Sequence, residues 1–105
     1  RMYTLTTIHP DETTVVTQQM DTPTLEQLQA AVDGYIEVVP GLSTFEQKRC
    51  VAFCNEEGKL DGLLVNPKAT RAWYHCLGIK DSAADWLCGN VIVITADDDA
   101  LLDRL

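Results

Sequence analysis

The chain has 105 residues, of which 46% are hydrophobic and 23% are charged, a composition typical of a globular domain and unlike that of a disordered or fibrous protein. Its longest unbroken apolar run has five residues. A membrane-spanning helix needs about 20, so no membrane partner is expected. Neither a secretory leader nor an Asn-x-Ser/Thr sequon is recognised, which predicts a cytoplasmic protein. Arg1 precedes Met2 and is interpreted as a cloning remnant, so the predicted single domain spans residues 2–105.

Charge is unevenly distributed along the chain. Sixteen acidic residues against eight basic residues give a net charge of −8, and such a surface repels DNA phosphates, so direct DNA binding is not expected. The net charge is −6 over residues 1–47, +3 over residues 48–80 and −5 over residues 81–105. The basic middle either pairs with the acidic segments of the same chain or orients the protein on a charged partner, and internal pairing is favoured.

The first third of the chain predicts a β-hairpin followed by a helix. Tyr3–Ile8 and Thr13–Gln18 are rich in β-branched residues, and a turn-forming sequence joins them. Thr24 and Gln27 form a capping box at the start of a segment whose apolar residues recur at helical spacing. Gly34 is predicted to end this helix as a left-handed cap.

The middle of the chain predicts a strand and a second hairpin. Tyr35–Val39 has the strand composition, and the hairpin is predicted from Lys48 to about Leu64. Its loop is Asn55–Lys59, with Gly58 at a position of positive φ. Within its first strand, Arg49–Cys54, alternate residues point to opposite sides, so both faces are expected to be covered.

The last third predicts a helix, a central strand and a short terminal helix. Asn66 is the expected N-cap, Pro67 the first helical residue and Gly78 the end of the helix. Four aliphatic residues begin Val91–Thr95, as in a strand buried on both faces. Asp97–Asp99 suits the start of the terminal helix. The elements together predict an α+β domain: a mixed, mostly antiparallel sheet of about five strands, two main helices packed on it and a short C-terminal helix.

The residue types that carry chemistry do not form a familiar constellation. The cysteines lack the two close pairs typical of structural zinc, which favours buried free thiols over a tetrahedral site; they are Cys50, Cys54, Cys76 and Cys88. His75 lies within the amphipathic helix, where a structural role is favoured over that of a base. No phosphate-binding glycine motif is present. We therefore predict no catalytic residue, no metal and no cofactor.

Acidic residues near the predicted second hairpin leave two interpretations open. Glu37, Glu56, Glu57 and Asp61 are able to pair as carboxylates or hold a divalent cation if the fold brings them together. The same residues are also what an ordinary exposed loop contains, and this interpretation is favoured.

Three spaced motifs resemble those of a domain family of unknown function found in bacteriophages, plasmids and bacterial genomes. They are residues 32–39 (VDGYIEVV), 55–70 (NEEGKLDGLLVNPKAT) and 85–91 (DWLCGNV), and the similarity covers about residues 24–96. Two positions depart from the pattern, because Asp33 stands where a second glycine is expected and Leu64 where proline is expected. The resemblance implies an origin in a mobile element and carries no established chemistry.

Several residues are candidates for an interaction surface. Tyr35 and Glu37 on one strand face beside the Asn55–Lys59 loop would form a docking patch, but a buried Tyr35 ring with a hydrogen-bonded hydroxyl is the favoured interpretation. Trp73 is expected in the core and Trp86 as a partly exposed anchor. The candidate surface comprises Tyr35, Glu37, Asn55, Glu56, Glu57, Lys59, Trp86, Asp97, Asp98 and Asp99.

Three functions are compatible with this pattern. The first is a small non-enzymatic protein of a phage or related element that binds a host protein and modulates or inhibits it. The second is an acidic DNA mimic directed against a restriction or defence enzyme, for which the Asp97–Asp99 cluster and the net charge argue. The third is a small-ligand or nucleotide-binding domain, with an anion-facing group of Lys48, Arg49, Lys68 and Arg71. The protein is expected to be a monomer or a homodimer that pairs through an exposed edge strand.

Overall fold

The computed structural model describes residues 1–80 and 85–105, which form a five-stranded sheet with helices on both of its faces. The elements are β1 (Tyr3–Ile8), β2 (Thr14–Gln19), α1 (Leu25–Val32), β3 (Ile36–Val38), β4 (Thr44–Phe45), β5 (Lys48–Arg49), β6 (Val51–Asn55), α2 (Pro67–Leu77), β7 (Val91–Ala96) and a C-terminal 3₁₀ helix (Asp99–Arg104).

The sheet order is β2-β1-β7-β6-β3, and each of its four pairings is antiparallel. This confirms the predicted α+β class. Strands β4 and β5 form a separate two-stranded hairpin that the sequence analysis did not predict. Neither α1 nor α2, the α-helices of the described part of the chain, has the length and apolar character needed to cross a bilayer.

Central strands β6 and β7 carry core residues on both faces, as their sequences predict. On one face, Val91 and Val93 of β7 pack with Ala52 and with Trp73 of α2. The other face carries Ile92, Ile94 and Phe53. They pack against Leu28 and Val32 of α1 and against Leu101 and Leu102 of the 3₁₀ helix. Because β6 and β7 are buried on both faces, each strand belongs to two core layers, and the sheet lies between these layers.

The helix starts follow their capping sequences. Thr24 accepts a hydrogen bond from the amide of Gln27 at 3.1 Å, and the Gln27 side chain accepts one from the amide of Thr24 at 3.0 Å. Asn66 caps α2, Pro67 begins it, and Gly78 ends it with a φ of 73°. These termini are local features, so the sequence alone predicts them.

The end of α1 differs from the prediction that Gly34 is its left-handed cap. Asp33 takes the left-handed conformation instead, with φ of 58° and ψ of 43°. Glycine is required at position 34 because the Asn55 side chain packs closely against it: a Cβ here would lie 2.7 Å from Nδ2 of Asn55. The glycine is therefore needed by the packing of β6 against the turn and not by the helix end.

The predicted second hairpin from Lys48 to about Leu64 is wrong. The strand within it is present as β6, but its two neighbours are β3 and β7, so both of its edges are occupied. The following residues, 56–62, form turns, and Val65 makes a single bridge with Cys88. Gly58 does not take a positive φ; a Cβ there would lie 3.1 Å from the carbonyl oxygen of Cys88.

Candidate functional site

A groove of about 390 Å³ opens beside β3, on the face of the sheet that carries α2. Its walls are β3 with the residues that follow it, the turn after β6, and the segment that precedes β7. We call it the β3 groove and define it by its lining residues, which are 37–40, 54–60, Trp73 and 85–88. Its volume lies in the range of sites that hold a small molecule or a few side chains.

Acidic side chains dominate the polar lining of the β3 groove. Glu37 comes from β3, Glu56 and Glu57 from the turn, and Asp85 from the opposite wall. Lys59 is the single basic residue in this lining, so the groove carries a formal charge of −3. All four carboxylates are exposed at the surface. The groove therefore favours a cationic occupant over an anionic one.

Lys59 is held in place by the opposite wall. Its ammonium group forms an ion pair with the carboxylate of Asp85 and lies 4.4 Å from the centroid of the Trp86 ring. The hydrogen bond from Lys59 is the main cause that lowers the pKa of Asp85 below its ordinary value. The backbone carbonyl of Asp85 accepts a hydrogen bond from the Tyr74 hydroxyl at 2.5 Å, which ties this wall to α2. The single cation of the lining is thus already neutralised.

Apolar surface accompanies these charges. Trp86 is 43% exposed, Val38 is 52% exposed and Leu60 is 87% exposed, and all three line the groove. Trp73, by contrast, lies in the core as predicted, and its indole N–H donates to the carbonyl of Pro40 at 2.7 Å. This bond fixes the backbone where β3 ends, and so fixes one wall of the groove.

Asn55 supports the groove from below. Its side-chain amide donates to the carbonyl oxygens of Val32 at 3.0 Å and Asp33 at 3.2 Å, and its Oδ1 accepts from the amide of Glu57 at 2.8 Å. Asn55 is only 7% exposed. Its side chain joins the end of α1 to the turn after β6. The amide and carbonyl groups of this side chain are hydrogen-bonded within the protein, so they are not free to bind a partner.

The lining contains two cysteines, the buried Cys88 and the half-buried Cys54, and Cys54 is a weak nucleophile. Burial, with a further contribution from Glu37, raises the pKa of the half-buried Cys54 thiol to about 11. Near neutral pH this thiol is protonated, and the thiolate is the reactive form. Neither His9 nor His75 lines the groove, so no imidazole lies there to take its proton.

The structure brings together six of the ten candidate surface residues. Glu37, Asn55, Glu56, Glu57, Lys59 and Trp86 all line the β3 groove. Tyr35 does not line it, but its carbonyl accepts from the amide of Glu56 at 2.9 Å, and its side chain is 69% exposed. The favoured interpretation, a buried Tyr35 ring, is therefore wrong.

The remaining three candidates lie at the opposite end of β7. Asp97 accepts a hydrogen bond from the amide of Met2 at 3.0 Å. Asp98 caps the 3₁₀ helix through the amide of Ala100 at 3.0 Å and pairs with Arg1 at 3.4 Å. Two of the three carboxylates are thus engaged in holding the chain termini together, away from the β3 groove.

The proposed anion-facing residues lie on different elements, and their arginines pair with acids. Arg49 of β5 forms an ion pair with Asp103 at 2.9 Å, and Arg71 of α2 pairs with Glu12. These contacts are the internal pairing that was favoured from the charge distribution. Lys48 and Lys68 lie on β5 and α2, respectively.

The four cysteines are free thiols in the structure, with Cys50 and Cys88 buried and Cys54 and Cys76 half-buried. Across residues 1–80 and 85–105, the His, Cys, Asp and Glu side chains do not gather in any group of three that could hold a metal ion. Glu37, Glu56 and Glu57 line the same groove without forming such a group, and Asp61 lies outside the lining.

Several lining residues were not among the candidates predicted from the sequence, and Val38, Leu60 and Asp85 are three exposed ones. Val38 was predicted within a strand and Leu60 within the second hairpin, and Asp85 comes from a separate part of the chain. No local pattern marks them. Asp85, directly before Trp86, is the one signal in the sequence that could have indicated this wall, because a carboxylate next to an exposed indole ring favours a bound cation.

The fold and the groove define a small α+β domain with an acidic, partly apolar groove at one edge of its sheet. Residues 3–103 match the family model described as a domain of unknown function, DUF3846, and the chain belongs to this family. The match extends beyond residues 24–96 and includes the N-terminal hairpin and most of the 3₁₀ helix. No curated protein and no solved structure matches the chain.

Proposed function

We infer that the protein is a non-enzymatic binding module, encoded by a phage or another mobile element, that modulates a host protein by holding a basic, extended segment of it in the β3 groove. The observation that carries this proposal is the lining of the groove. Four carboxylates, one lysine already paired with Asp85, and the exposed side chains of Val38, Leu60 and Trp86 converge there. A segment in which lysine or arginine adjoins an apolar residue complements both features.

The sheet supports an extended conformation for this segment. Strand β3 is the last strand of the sheet and pairs only with β6 among the described strands, so its outer edge faces away from the sheet. An extended peptide can add to such an edge through backbone hydrogen bonds, while its side chains enter neighbouring pockets. The three residues of β3 allow only a short pairing, so side-chain contacts in the groove supply the specificity.

The two cysteines of the lining support binding rather than turnover, because Cys88 is buried and Cys54 is a weak nucleophile. Cys54 has a thiol pKa of about 11, and neither histidine lies beside it. The four carboxylates are exposed at the surface. These features suit electrostatic recognition of a cation.

A peptide-display selection tests the proposal directly. The protein is immobilised and offered a random peptide library, and we expect enrichment of peptides in which lysine or arginine adjoins an apolar residue. Trp86→Ala removes the exposed ring and is expected to weaken binding of the enriched peptides by about 30-fold or more. Leu64→Ala is the matched control, because Leu64 is 74% exposed but does not line the groove.

The charges provide a second arm of the same experiment. Glu56→Lys is expected to weaken peptide binding by about tenfold, and raising the salt concentration is expected to weaken wild-type binding. Selection of acidic peptides, of no peptides, or of peptides that bind Trp86→Ala as well as wild type would contradict the proposal. Affinity capture from the host with wild type and Trp86→Ala as baits then identifies the protein that carries the segment.

The DNA-mimic alternative has less support from the arrangement of the acids. Mimicry needs carboxylates spaced like phosphates along one face, and Asp97 and Asp98 are instead committed to the amides of Met2 and Ala100. If the protein nevertheless acts as a mimic, Asp99→Asn weakens partner binding and Trp86→Ala does not. The two substitutions therefore separate the two functions.

A further inference from the structure

The sheet has two edges that differ in how they are protected against pairing. At one edge, β3 is three residues long, contains Glu37 and is followed closely by Pro40. A short strand, a charge and a nearby proline limit the length of chain that can pair at an edge, so only a short segment fits beside β3. At the other edge, β2 is six residues long and contains neither a charged residue, a proline nor a glycine.

The β2 edge is exposed along nearly its whole length. The residues from Thr14 to Gln18 are all exposed, including Val15 at 54% and Val16 at 57%. The uncharged stretch runs from Thr13 to Met20, and Met20 is 72% exposed. In a chain of net charge −8, this is a long exposed strand that itself carries no charged side chain.

The backbone of β2 shows which of its groups are free to pair. The amide of His9 donates to the carbonyl of Thr13 at 2.8 Å, so Thr13 bonds toward β1. In the β1–β2 register every second residue after Thr13, which means Val15, Thr17 and Gln19, has the same orientation toward β1. In an antiparallel pair, hydrogen-bonding residues alternate along each strand. Thr14, Val16 and Gln18 therefore direct their amide and carbonyl groups away from β1, toward the outside of the sheet.

We propose that a second copy of this chain pairs with the β2 edge, strand β2 against strand β2 in antiparallel orientation, with Val16 opposite Val16 across a two-fold axis. Thr14 of each copy then lies opposite Gln18 of the other. The outward amides and carbonyls of Thr14, Val16 and Gln18 bond in reciprocal pairs, as an isologous contact requires. The two five-stranded sheets become one continuous sheet.

The axis position follows from the same alternation. Centring on Val16 uses every outward-facing residue of β2, whereas a shift along the strand leaves one of them without an opposite residue. On one face of the joined sheet the Val16 side chains of the two copies lie opposite one another, and on the other face Val15 lies opposite Thr17 of the other copy with the second Val15 as its diagonal neighbour. Both β3 grooves remain at the outer ends of the joined sheet, which makes the dimer independent of the proposed binding function.

Molar mass in solution tests the dimer. Light scattering of the wild-type protein at increasing concentration is expected to approach twice the chain mass of 11.6 kDa. Val16→Lys puts two ammonium groups opposite one another and is expected to return the protein to 11.6 kDa. Leu64→Lys, which adds the same charge at an exposed leucine away from β2, is expected to remain dimeric.

Disulfide trapping tests the register and does not depend on the stability of Val16→Lys. Residues opposite one another in a hydrogen-bonded pair have Cα atoms about 5.5 Å apart, within disulfide reach. Val16→Cys is therefore expected to cross-link into a covalent dimer on mild oxidation. Val15→Cys is the matched control on the same strand, because its Cα and that of its copy are diagonal neighbours, about 7–8 Å apart, too far to bridge.

The outcomes separate clearly. A wild-type protein that stays at 11.6 kDa at every concentration, together with no cross-link in Val16→Cys, overturns the proposal. A dimer that survives Val16→Lys places the contact elsewhere and also overturns it. Preferential cross-linking of Val15→Cys overturns the Val16-centred register. Loss of peptide binding in Trp86→Ala has no bearing on any of these measurements.

Discussion

At the start of α2, Asn66 combines a local role with a tertiary one. Its Oδ1 accepts from the amide of Ala69 at 3.1 Å, which is ordinary N-capping. Its Nδ2 donates to the carbonyls of Ile8 and Gly89, each at 2.9 Å, and the side chain is fully buried. Asn66 thus joins α2 to the end of β1 and to the turn before β7.

Substitution of Asn66 by aspartate separates these two roles. Aspartate caps helices as well as asparagine does, so Asn66→Asp would be close to neutral if capping were the whole role. It removes both amide donors and turns a carboxylate toward two buried carbonyls, so we expect a loss of about 2–4 kcal/mol of unfolding free energy. Urea unfolding of both proteins measures the difference.

A suitable control for this comparison is Thr24→Asp, which changes an N-cap of α1 whose side chain is exposed. It is expected to alter the unfolding free energy by less than about 0.5 kcal/mol. An Asn66→Asp protein as stable as wild type would show that the bonds to Ile8 and Gly89 contribute nothing.

Among the elements, the β4–β5 hairpin has an unusual turn. Glu46 and Gln47 connect the two strands, and both have positive φ, at 51° and 68° respectively. A two-residue turn with positive φ at both positions is of type I′, which strongly favours Asn-Gly. Neither glutamate nor glutamine is suited to this conformation, so the hairpin forms against a local preference because β4 packs near α2 through Phe45 and Thr44.

Replacing the turn with its preferred sequence should stabilise the protein. The double variant Glu46→Asn, Gln47→Gly relieves both left-handed residues and is expected to raise the unfolding free energy by about 1 kcal/mol. Thermal unfolding followed by circular dichroism measures the gain. Gln47→Val has the opposite expected effect: it puts a β-branched residue at a positive φ and is expected to lower the unfolding temperature. An unchanged unfolding temperature in both variants would contradict the turn assignment.

Across the whole molecule, the two faces of the core are linked through β6 and β7. Phe53 and Ile92 face α1, while Ala52 and Val93 face α2, on the same two strands. Neither face can lose its packing without disturbing the sheet on which the other depends. The domain is therefore expected to unfold in one cooperative transition.

A substitution on one face, observed from the other, tests this coupling. Leu101 is 3% exposed and packs on the α1 face, so Leu101→Ala is expected to cost about 2–4 kcal/mol. In a Trp86→Phe background, fluorescence reports Trp73 on the α2 face. Its transition should shift with Leu101→Ala by the same amount as the far-ultraviolet circular dichroism; a shift in only one of the two probes would show that the faces unfold separately.

The sequence by itself determined the features that depend on neighbouring residues. The N-terminal hairpin, the capping box of α1, both ends of α2 and the doubly buried β7 were predicted correctly. Each depends on residues within a few positions of one another, where spacing and backbone preference act directly. The pattern also predicted the core position of Trp73, which lies on the apolar stripe of a helix. It predicted the partial exposure of Trp86, which lies outside any periodic apolar pattern.

Tertiary structure alone decided the strand partners and the groove. The segment after β6 was expected to fold back as a second hairpin, but β3 and β7 already occupy both edges of β6. Gly34 and Gly58 owe their presence to close approaches of Asn55 and Cys88, which no local spacing shows. The pairing of Lys59 with Asp85 joins two distant parts of the chain. Such contacts depend on which segments compete for the same place in space, and a sequence pattern records only what each segment prefers by itself.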